Sequence, residues 1–295
     1  MKLELTRPLD EPTPVEEHDG RYYKRDDLLG FTNGVNGKTR TSLFLARKAI
    51  ENGAEALVYG GSVKAPALGR VASAAAYSGL DCYLVIGSDL RTAIRHPTVE
   101  VAREAGASFI KASVAYNPAL QKKAREIAAG SDGYIWQVPY GVSTPEGWEG
   151  EQLADFLWQD APQVANLPSE LDTLVVPFGS GNAASGVLYG LSRHAGAPKV
   201  NRVVLMGIGP DRSVWMRERL ARAGLSYSDL PFELEHIALH PNFATYNDLM
   251  PEREDGIDFH PTYEGKMVRY LNLVSPSWWT ARDGSTCMWI VGGPL

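Results

Sequence analysis

The stretch Ala54-Glu55-Ala56-Leu57-Val58-Tyr59-Gly60-Gly61 is a short apolar run that ends in a glycine pair. A longer, alanine-rich segment follows at 66–78, and a second apolar run comes after it at 81–88. Apolar runs of strand length that alternate with helical segments are typical of βαβ units, whose strands form a parallel sheet. The sequence therefore predicts an α/β fold.

The same alternation continues along most of the chain. Further strands are predicted at 108–113, 134–139, 172–178, 201–208 and 287–291, and further helices near 95–105 and 117–129 and from Asn182. Two series of strands indicate two lobes, each with a mostly parallel sheet flanked by helices. Residues 226–260 lack a clear periodicity, so we expect loops and a short strand there.

The composition is that of an ordinary folded protein. The 295 residues carry a formal net charge of −6, which disfavours nucleic-acid binding without excluding a local basic patch. Cys82 and Cys287 lie in apolar runs without metal-ligand spacing, so we interpret both as reduced core residues and predict no metal site. No apolar run has the length of a membrane span and the first residues lack a signal-peptide core, which favours a cytoplasmic location.

One lysine stands at a position where its amine could be reactive. Lys38 follows a turn rich in glycine and asparagine at 32–37, and a helix is predicted to begin near Thr39. The positive end of a helix lowers the pKa of a neighbouring amine, and a neutral amine can form an imine. The alternative interpretation is a solvated lysine at a helix start.

A second motif has the character of a phosphate-binding turn. The apolar run 172–178 leads into Gly179-Ser180-Gly181-Asn182-Ala183, where a helix begins. Such a turn directs several backbone N–H groups to one point at the positive end of the helix, which suits a phosphate monoester. It lacks the pattern of an NTPase loop, and tight packing of a strand against a helix is the alternative explanation.

Two further turns carry groups that could bind a substrate. Residues 138–147 contain Tyr140, Ser143 and Thr144, which offer hydroxyls and amides to a carboxylate, unless Ser143 or Thr144 simply caps a helix. At Tyr263-Glu264 a phenol and a carboxylate are neighbours just before a predicted helix. A structural helix start is the alternative at this second turn.

Together these four segments resemble the 1-aminocyclopropane-1-carboxylate deaminase and D-cysteine desulfhydrase family, which belongs to fold type II of the pyridoxal-phosphate enzymes and is similar in fold to the tryptophan synthase beta chain. The resemblance covers nearly the whole chain, with additional matching pieces at Thr13-Pro14-Val15, Lys24-Arg25-Asp26-Asp27, Tyr59-Gly60-Gly61 and Gly292-Gly293. It implies a large cofactor-binding domain at 1–45 plus 156–295, a small domain at 46–155, and a homodimer.

The resemblance also implies a role for each motif. Lys38 would hold pyridoxal 5′-phosphate as a Schiff base and carry the proton at the substrate's Cα. The loop Gly179-Ser180-Gly181-Asn182-Ala183 would wrap the cofactor phosphate. Glu264 would lie near the pyridine nitrogen and favour its protonation, while Tyr263 would face the substrate.

The sequence departs from the family in the expected substrate loop. The family's Gly-Gly is usually followed by a Ser-Asn pair, whereas Gly60-Gly61 precedes Ser62-Val63-Lys64-Ala65-Pro66. Ser62 and Lys64 are therefore the candidate substrate contacts of this loop. Gly37 replaces an asparagine, and Ile290-Val291 replaces a His-Thr pair before the last glycines. We expect cofactor binding to survive these changes better than the identity of the reaction.

These observations predict a lyase that acts on an amino acid through Lys38, by deaminase-like or desulfhydrase-like elimination or by α-decarboxylation. A decarboxylase of an amino-acid adduct on a larger molecule, such as a modified nucleobase, is an alternative that would explain the remodelled loop. A non-catalytic binding protein with the same fold is a second class, which the retention of Lys38, Tyr263 and Glu264 disfavours. An NAD-binding protein is a third class, but Gly207-Ile208-Gly209 does not complete the required glycine pattern.

Overall fold

The structure is a computed structural model that describes residues 3–245, 247–274 and 285–293. The chain forms two compact units: unit 1 takes Met1–Leu9 and Leu29–Gly147, and unit 2 takes Asp10–Leu28 and Trp148–Pro294. Each unit contains a mostly parallel sheet with helices packed against it. The predicted α/β fold with two parallel sheets is therefore confirmed.

The elements are numbered in chain order. The strands are β1 (Val15–His18), β2 (Arg21–Arg25), β3 (Ala56–Gly60), β4 (Asp81–Ile86), β5 (Ser108–Lys111), β6 (Ile135–Gln137), β7 (Glu170–Phe178), β8 (Lys199–Gly207), β9 (Glu233–Ala238), β10 (Arg253–Glu254), β11 (Ile257–Asp258) and β12 (Thr286–Ile290). The helices are α1 (Thr39–Glu51), α2 (Ala67–Ser78), α3 (Leu90–Ala93), α4 (Pro97–Glu104), α5 (Asn117–Ala129), α6 (Gly150–Trp158), α7 (Asn182–Arg193), α8 (Ser213–Arg222) and α9 (Glu264–Val274).

Unit 1 contains a four-stranded parallel sheet in the order β5-β4-β3-β6. All residues of β3 are buried, as expected for a central strand of a parallel sheet whose two faces are covered by helices. Helix α2 ends at Gly79, whose φ of 73° is a left-handed conformation that glycine adopts without steric cost. The predicted strands at 54–61, 81–88, 108–113 and 134–139 and the helices near 66–78, 95–105 and 117–129 are confirmed.

Helix α1 belongs to unit 1 because its apolar face packs there. Leu43 of α1 forms a buried cluster with Phe31 and Val35, which precede the helix, and with Ala74 of α2. The domain bounds expected from the sequence, 1–45 plus 156–295 and 46–155, stay a prediction. Compact unit 1 differs from the predicted small domain because it also contains Met1–Leu9 and residues 29–45 and ends at Gly147.

Unit 2 contains a six-stranded sheet in the order β1-β2-β12-β7-β8-β9. Only β1 and β2 pair in antiparallel fashion, and β12 lies parallel to both of its neighbours, β2 and β7. The strands predicted at 172–178, 201–208 and 287–291 and the helix from Asn182 are confirmed. Residues 226–260 contain β9 and the small hairpin β10–β11, which is more strand than the one short strand expected.

The β1–β2 hairpin was not predicted, because its sequence is highly charged. Lys24 is nevertheless fully buried: its Nζ donates to Thr13 O at 2.7 Å and to Asn166 Oδ1 at 2.6 Å, and lies 5.7 Å from the centre of the Trp289 ring. Arg25 forms an ion pair with Asp27 at 2.9 Å. Within the charged stretch at 22–27, Arg25 pairs with Asp27, whereas the ammonium of Lys24 bonds to neutral oxygens from outside the stretch.

The two cysteines are buried and free, Cys82 in β4 and Cys287 in β12. Burial raises the pKa of both thiols to about 12, so both are unreactive near neutral pH. Their interpretation as reduced core residues is confirmed. Among the described helices, even the 13-residue α1 and α5 fall short of the length and apolar character needed to cross a membrane.

Candidate active site

Lys38 precedes α1 in a strained backbone conformation. Its φ of 54° and ψ of 24° are left-handed, and Gly37 before it also has a positive φ of 73°. For a residue with a Cβ this conformation costs about 1–2 kcal/mol. Such strain persists where the surrounding structure enforces it, often at functional sites. The half-buried Lys38 side chain is thereby directed by a rigid turn.

The amine of Lys38 lies beside the turn at 139–145. Lys38 Nζ donates to Gly141 O at 2.7 Å. The next residue, Val142, is fully buried with a φ of 55°, which is rare for a β-branched side chain. Unit 1 thus brings together the predicted reactive lysine and the predicted carboxylate-binding turn.

Neither Ser143 nor Thr144 caps a helix. The next helix, α6, begins only at Gly150, and its N-cap position is Glu149, so the helix-cap alternative is wrong for both hydroxyls. Ser143 and Thr144 are half-buried, and Tyr140 in the same turn is 51% exposed. Both hydroxyl residues and the phenol thus remain candidates for contact with a ligand.

The loop after β3 is connected to this turn through Asn117, at the start of α5. Asn117 Oδ1 accepts from Ser62 N at 3.0 Å, and Asn117 Nδ2 donates to Tyr140 Oη at 3.1 Å. The side chain of Lys64 is exposed. Gly60 must be glycine, because a Cβ there would lie 2.3 Å from Leu120 O. The sequence did not indicate Asn117, whose link to both loops depends on tertiary packing.

In unit 2, the predicted phosphate loop joins the end of β7 to the start of α7. Gly181 precedes the helix with a φ of 80°, and a Cβ there would lie 2.8 Å from Cζ3 of Trp215. A Cβ at Gly179 would lie 3.7 Å from Cε1 of Tyr263. The glycines therefore allow the backbone to approach its neighbours closely, and the loop lies beside Tyr263.

Glu264 is the first residue of α9 and is 1% exposed. Its Oε1 accepts from Val291 N at 2.9 Å, whereas its Oε2 has no hydrogen-bond partner among the described residues. Burial is the main cause that raises the pKa of this carboxyl to about 7, with a contribution from Asp27 and an opposing one from backbone N–H groups. A buried carboxyl with an open oxygen is suited to a protonated ring nitrogen.

A buried arginine contacts the predicted phosphate loop and was missed in the sequence. Arg219 of α8 is 3% exposed and donates through Nη1 to Oδ1 of Asn182, the first residue of α7. Met216 and Leu220 are buried on the same face of α8. An arginine in the middle of an apolar helical face was the available signal.

These features define a class of protein. In unit 2, a glycine loop at a helix start and a buried carboxyl with an open oxygen suit an aromatic phosphate cofactor, and unit 1 by itself offers a lysine in a strained turn. The family described as "Pyridoxal-phosphate dependent enzyme" matches residues 7–245. The chain therefore belongs to this family, which confirms the predicted cofactor and the prediction that the protein is an enzyme.

Several named relatives are similar over most of the chain. The "O-seryl-dTMP PLP-dependent decarboxylase" of Salmonella phage ViI is 24% identical over 92% of this chain and 77% of its own length. A "1-aminocyclopropane-1-carboxylate deaminase" of Burkholderia lata is 28% identical over 87% of this chain and 84% of its own. These relatives support the predicted family resemblance and include both of the reaction types considered.

Two solved structures share the fold. A structure described as an ACC deaminase homologue has a TM-score of 0.70 and 20% identity, covering 97% of this chain and 90% of its own. Threonine deaminase isoform 2 from Solanum lycopersicum has a TM-score of 0.63 and 11% identity, covering 96% of this chain and 84% of its own. At these identities the similarity establishes the fold alone, and it confirms fold type II.

Proposed function

We propose that this enzyme is a lyase that removes the α-carboxylate of an amino-acid group carried on a nucleotide. The observation that carries the proposal is the loop after Gly60-Gly61, which has no Ser-Asn pair and presents the exposed Lys64 instead. Its backbone is held by Asn117 at Ser62 N. The ammonium of Lys64 on this loop complements the phosphate of a nucleotide. A free amino acid has no such phosphate. The phage relative's name, a decarboxylase of O-seryl-dTMP, supports this substrate class.

Lys38 is the residue to which we assign the covalent bond with the cofactor and the proton transfer. When bound, pyridoxal phosphate supplies an electron sink that stabilises the electron pair left on Cα. Decarboxylation breaks the bond from Cα to the carboxylate, and a proton then takes the place of carbon dioxide. The amine of Lys38, held by Gly141 O at 2.7 Å, delivers that proton.

The remaining roles follow from burial and position. The loop Gly179-Ser180-Gly181-Asn182-Ala183 binds the cofactor phosphate, since glycine and the start of α7 present backbone N–H groups. Glu264 holds the proton of the pyridine nitrogen, because its Oε2 is buried and open. Tyr263 faces the substrate, and the hydroxyls of Tyr140, Ser143 and Thr144 bind its oxygens. A homodimer, expected from the resemblance, and a cytoplasmic location, expected from the lack of a membrane-length apolar run and of a signal-peptide core in the sequence, stay proposals.

The products distinguish decarboxylation from elimination. Purified protein is incubated separately with O-seryl-dTMP, 1-aminocyclopropane-1-carboxylate and D-cysteine, and carbon dioxide, ammonia and 2-oxo acid are measured. We expect carbon dioxide from the nucleotide adduct, with no 2-oxo acid from any substrate. Ammonia and a 2-oxo acid from either free amino acid would replace the proposal with elimination.

The loop itself is tested with a matched pair of lysine variants. Lys64→Gln is expected to raise KM for the nucleotide adduct about fivefold, since an exposed ion pair contributes up to about 1 kcal/mol. Lys122→Gln removes another exposed lysine, from α5, and should leave KM unchanged. Equal effects of the two variants would remove Lys64 from the substrate site.

Elimination is the second candidate. It is supported by the deaminase relatives and by Ser62, whose position next to Asn117 keeps a hydroxyl in the loop. In this case the ring opening or β-elimination of a free amino acid would release ammonia. The product assay above decides between the two candidates.

A further inference from the structure

Arg219 is enclosed by aromatic rings behind the phosphate loop. Its guanidinium carbon lies 5.0 Å from the centre of the Phe156 ring and 4.8 Å from that of Trp215. Its Nη1 donates to Oδ1 of Asn182, which is 3% exposed. The guanidinium therefore reaches the first residue of α7 from inside the protein.

The charge of Arg219 is poorly compensated by the described residues. Its Nε and Nη2 are buried and have no hydrogen-bond partner there. Burial lowers the pKa of Arg219 to about 9, Asp160 opposes this shift, and the positive charge of Arg222 adds to it. A buried charge with so little compensation destabilises the fold. An anion near the start of α7 would supply the missing partner.

The same helix also controls the shape of the loop. Trp215, one turn before Arg219 on α8, lies where a Cβ at Gly181 would be only 2.8 Å from its ring. Trp215 therefore packs against Gly181 while Arg219 holds Asn182, and α8 fixes two successive residues of the phosphate loop.

We propose that Arg219 is a positioning residue for the cofactor phosphate: it orients Asn182 and places a buried positive charge behind the loop Gly179-Ser180-Gly181-Asn182-Ala183. The inference rests on the proposed phosphate-binding role of that loop. The compensating anion is the phosphate dianion, which the helix start also favours. Arg219 acts on the phosphate and not on the reacting carbon.

The test compares ligands with and without phosphate. Protein freed of cofactor is titrated with pyridoxal phosphate and with pyridoxal, and absorbance gives both dissociation constants. Arg219→Gln keeps a donor for Asn182 but removes the charge. It is expected to weaken binding of pyridoxal phosphate at least about tenfold and to leave pyridoxal binding unchanged. Arg219→Lys should recover most of the loss.

Arg217→Gln is the matched control, because Arg217 lies on the same helix and is exposed, with its guanidinium carbon 5.0 Å from the centre of the Tyr227 ring. It should bind both ligands as the wild type does. If Arg219→Gln weakens both ligands equally, Arg219 has a general structural role and the proposal is wrong. The ratio of the dissociation constants for pyridoxal and pyridoxal phosphate measures the preference for the phosphate. If this ratio is the same in the wild type and in Arg219→Gln, a role of Arg219 at the phosphate is excluded.

A measurement on the wild type covers the case in which Arg219→Gln does not fold. Phosphorus NMR should show the bound phosphate as a dianion from pH 8 down to pH 5, whereas a free phosphate monoester takes up a proton near pH ~6. Protonation of the bound phosphate near pH ~6 would overturn the inference about Arg219. A different result would show that the loop Gly179-Ser180-Gly181-Asn182-Ala183 does not bind the phosphate. In that case Gly181→Ala would leave pyridoxal phosphate binding unchanged.

Discussion

The backbone of Lys38 is strained whether or not its amine reacts. Two variants separate these properties, because Lys38→Ala and Lys38→Gly both lack the amine and only alanine keeps the crowded Cβ at a φ of 54°. In the wild type, borohydride should reduce the imine between the cofactor and Lys38 and so attach the cofactor permanently to the chain. We expect both variants to lose this reduced adduct. Lys38→Gly should be more stable than Lys38→Ala by about 1 kcal/mol.

Intact mass after borohydride reduction and urea unfolding of the cofactor-free variants measure the two effects. Lys64→Ala, on the exposed loop, is the control that should keep the reduced adduct. A reduced adduct that persists in Lys38→Ala would place the imine on another lysine.

Glu264 makes stability depend on pH in the cofactor-free protein. Because burial raises the pKa of this carboxyl from 4.5 to about 7, the folded protein keeps a proton that the unfolded chain has lost between these values. The protonated carboxyl therefore adds to the free energy of unfolding. This contribution is complete below pH 4.5 and is lost as the pH rises to about 7. The loss is on the order of 3 kcal/mol.

Glu264→Gln removes this titration. Urea unfolding between pH 4.5 and 7.5 should show a smaller fall in the free energy of unfolding for this variant than for the wild type, both without cofactor. Bound pyridoxal phosphate should flatten the wild-type slope, since a protonated ring nitrogen pairs with the carboxylate. Parallel slopes for the wild type and Glu264→Gln would show that this carboxyl is ionised in the fold.

At the scale of elements, the start of α7 depends on one glycine. Gly181→Ala places a Cβ 2.8 Å from the Trp215 ring at a φ of 80°, whereas Gly224, with a φ of 79°, has open space around it. The left-handed backbone should cost each variant about 1 kcal/mol of the free energy of unfolding, and the contact with Trp215 should add to this loss only in Gly181→Ala. Only Gly181→Ala should also weaken pyridoxal phosphate binding, by at least about tenfold.

Titration of both cofactor-free variants with pyridoxal phosphate gives the comparison. The expected difference arises because the Trp215 ring forces the loop to move only when the Cβ is at 181. Equal affinities of Gly181→Ala and Gly224→Ala would show that the loop backbone does not contact the phosphate.

The elements that could be predicted are those whose periodicity is local. Strand β3 is a continuous apolar run, and α5 begins with Asn117 and Pro118, which favour a helix start. The β1–β2 hairpin could not be recognised, because Lys24 is buried only through partners at distant positions such as Asn166. The periodicity of a sequence indicates which face of a helix or strand is apolar. It does not indicate which polar side chains contact one another in the folded protein.

The same distinction holds for the candidate site. Lys38, Gly181 and Glu264 could be proposed from the chain alone because each stands at a helix start with a recognisable neighbourhood. Arg219 and Asn117 could not, since their importance depends on contacts with other elements. Contacts between elements require the packed structure.

At the scale of the whole molecule, the chain order of the sheet in unit 2 determines when that sheet can be completed. Strand β12 lies between β2 and β7, yet it is the last of the described strands in chain order and pairs Thr286–Ile290 with Arg21–Arg25. A ribosome therefore releases the N-terminal hairpin long before the strand that connects it to the rest of its sheet. Leu29–Gly147 is continuous, so this part of unit 1 can fold during synthesis. The six-stranded sheet must wait until β12 has been synthesised, and the hairpin carries an unpaired edge throughout that interval.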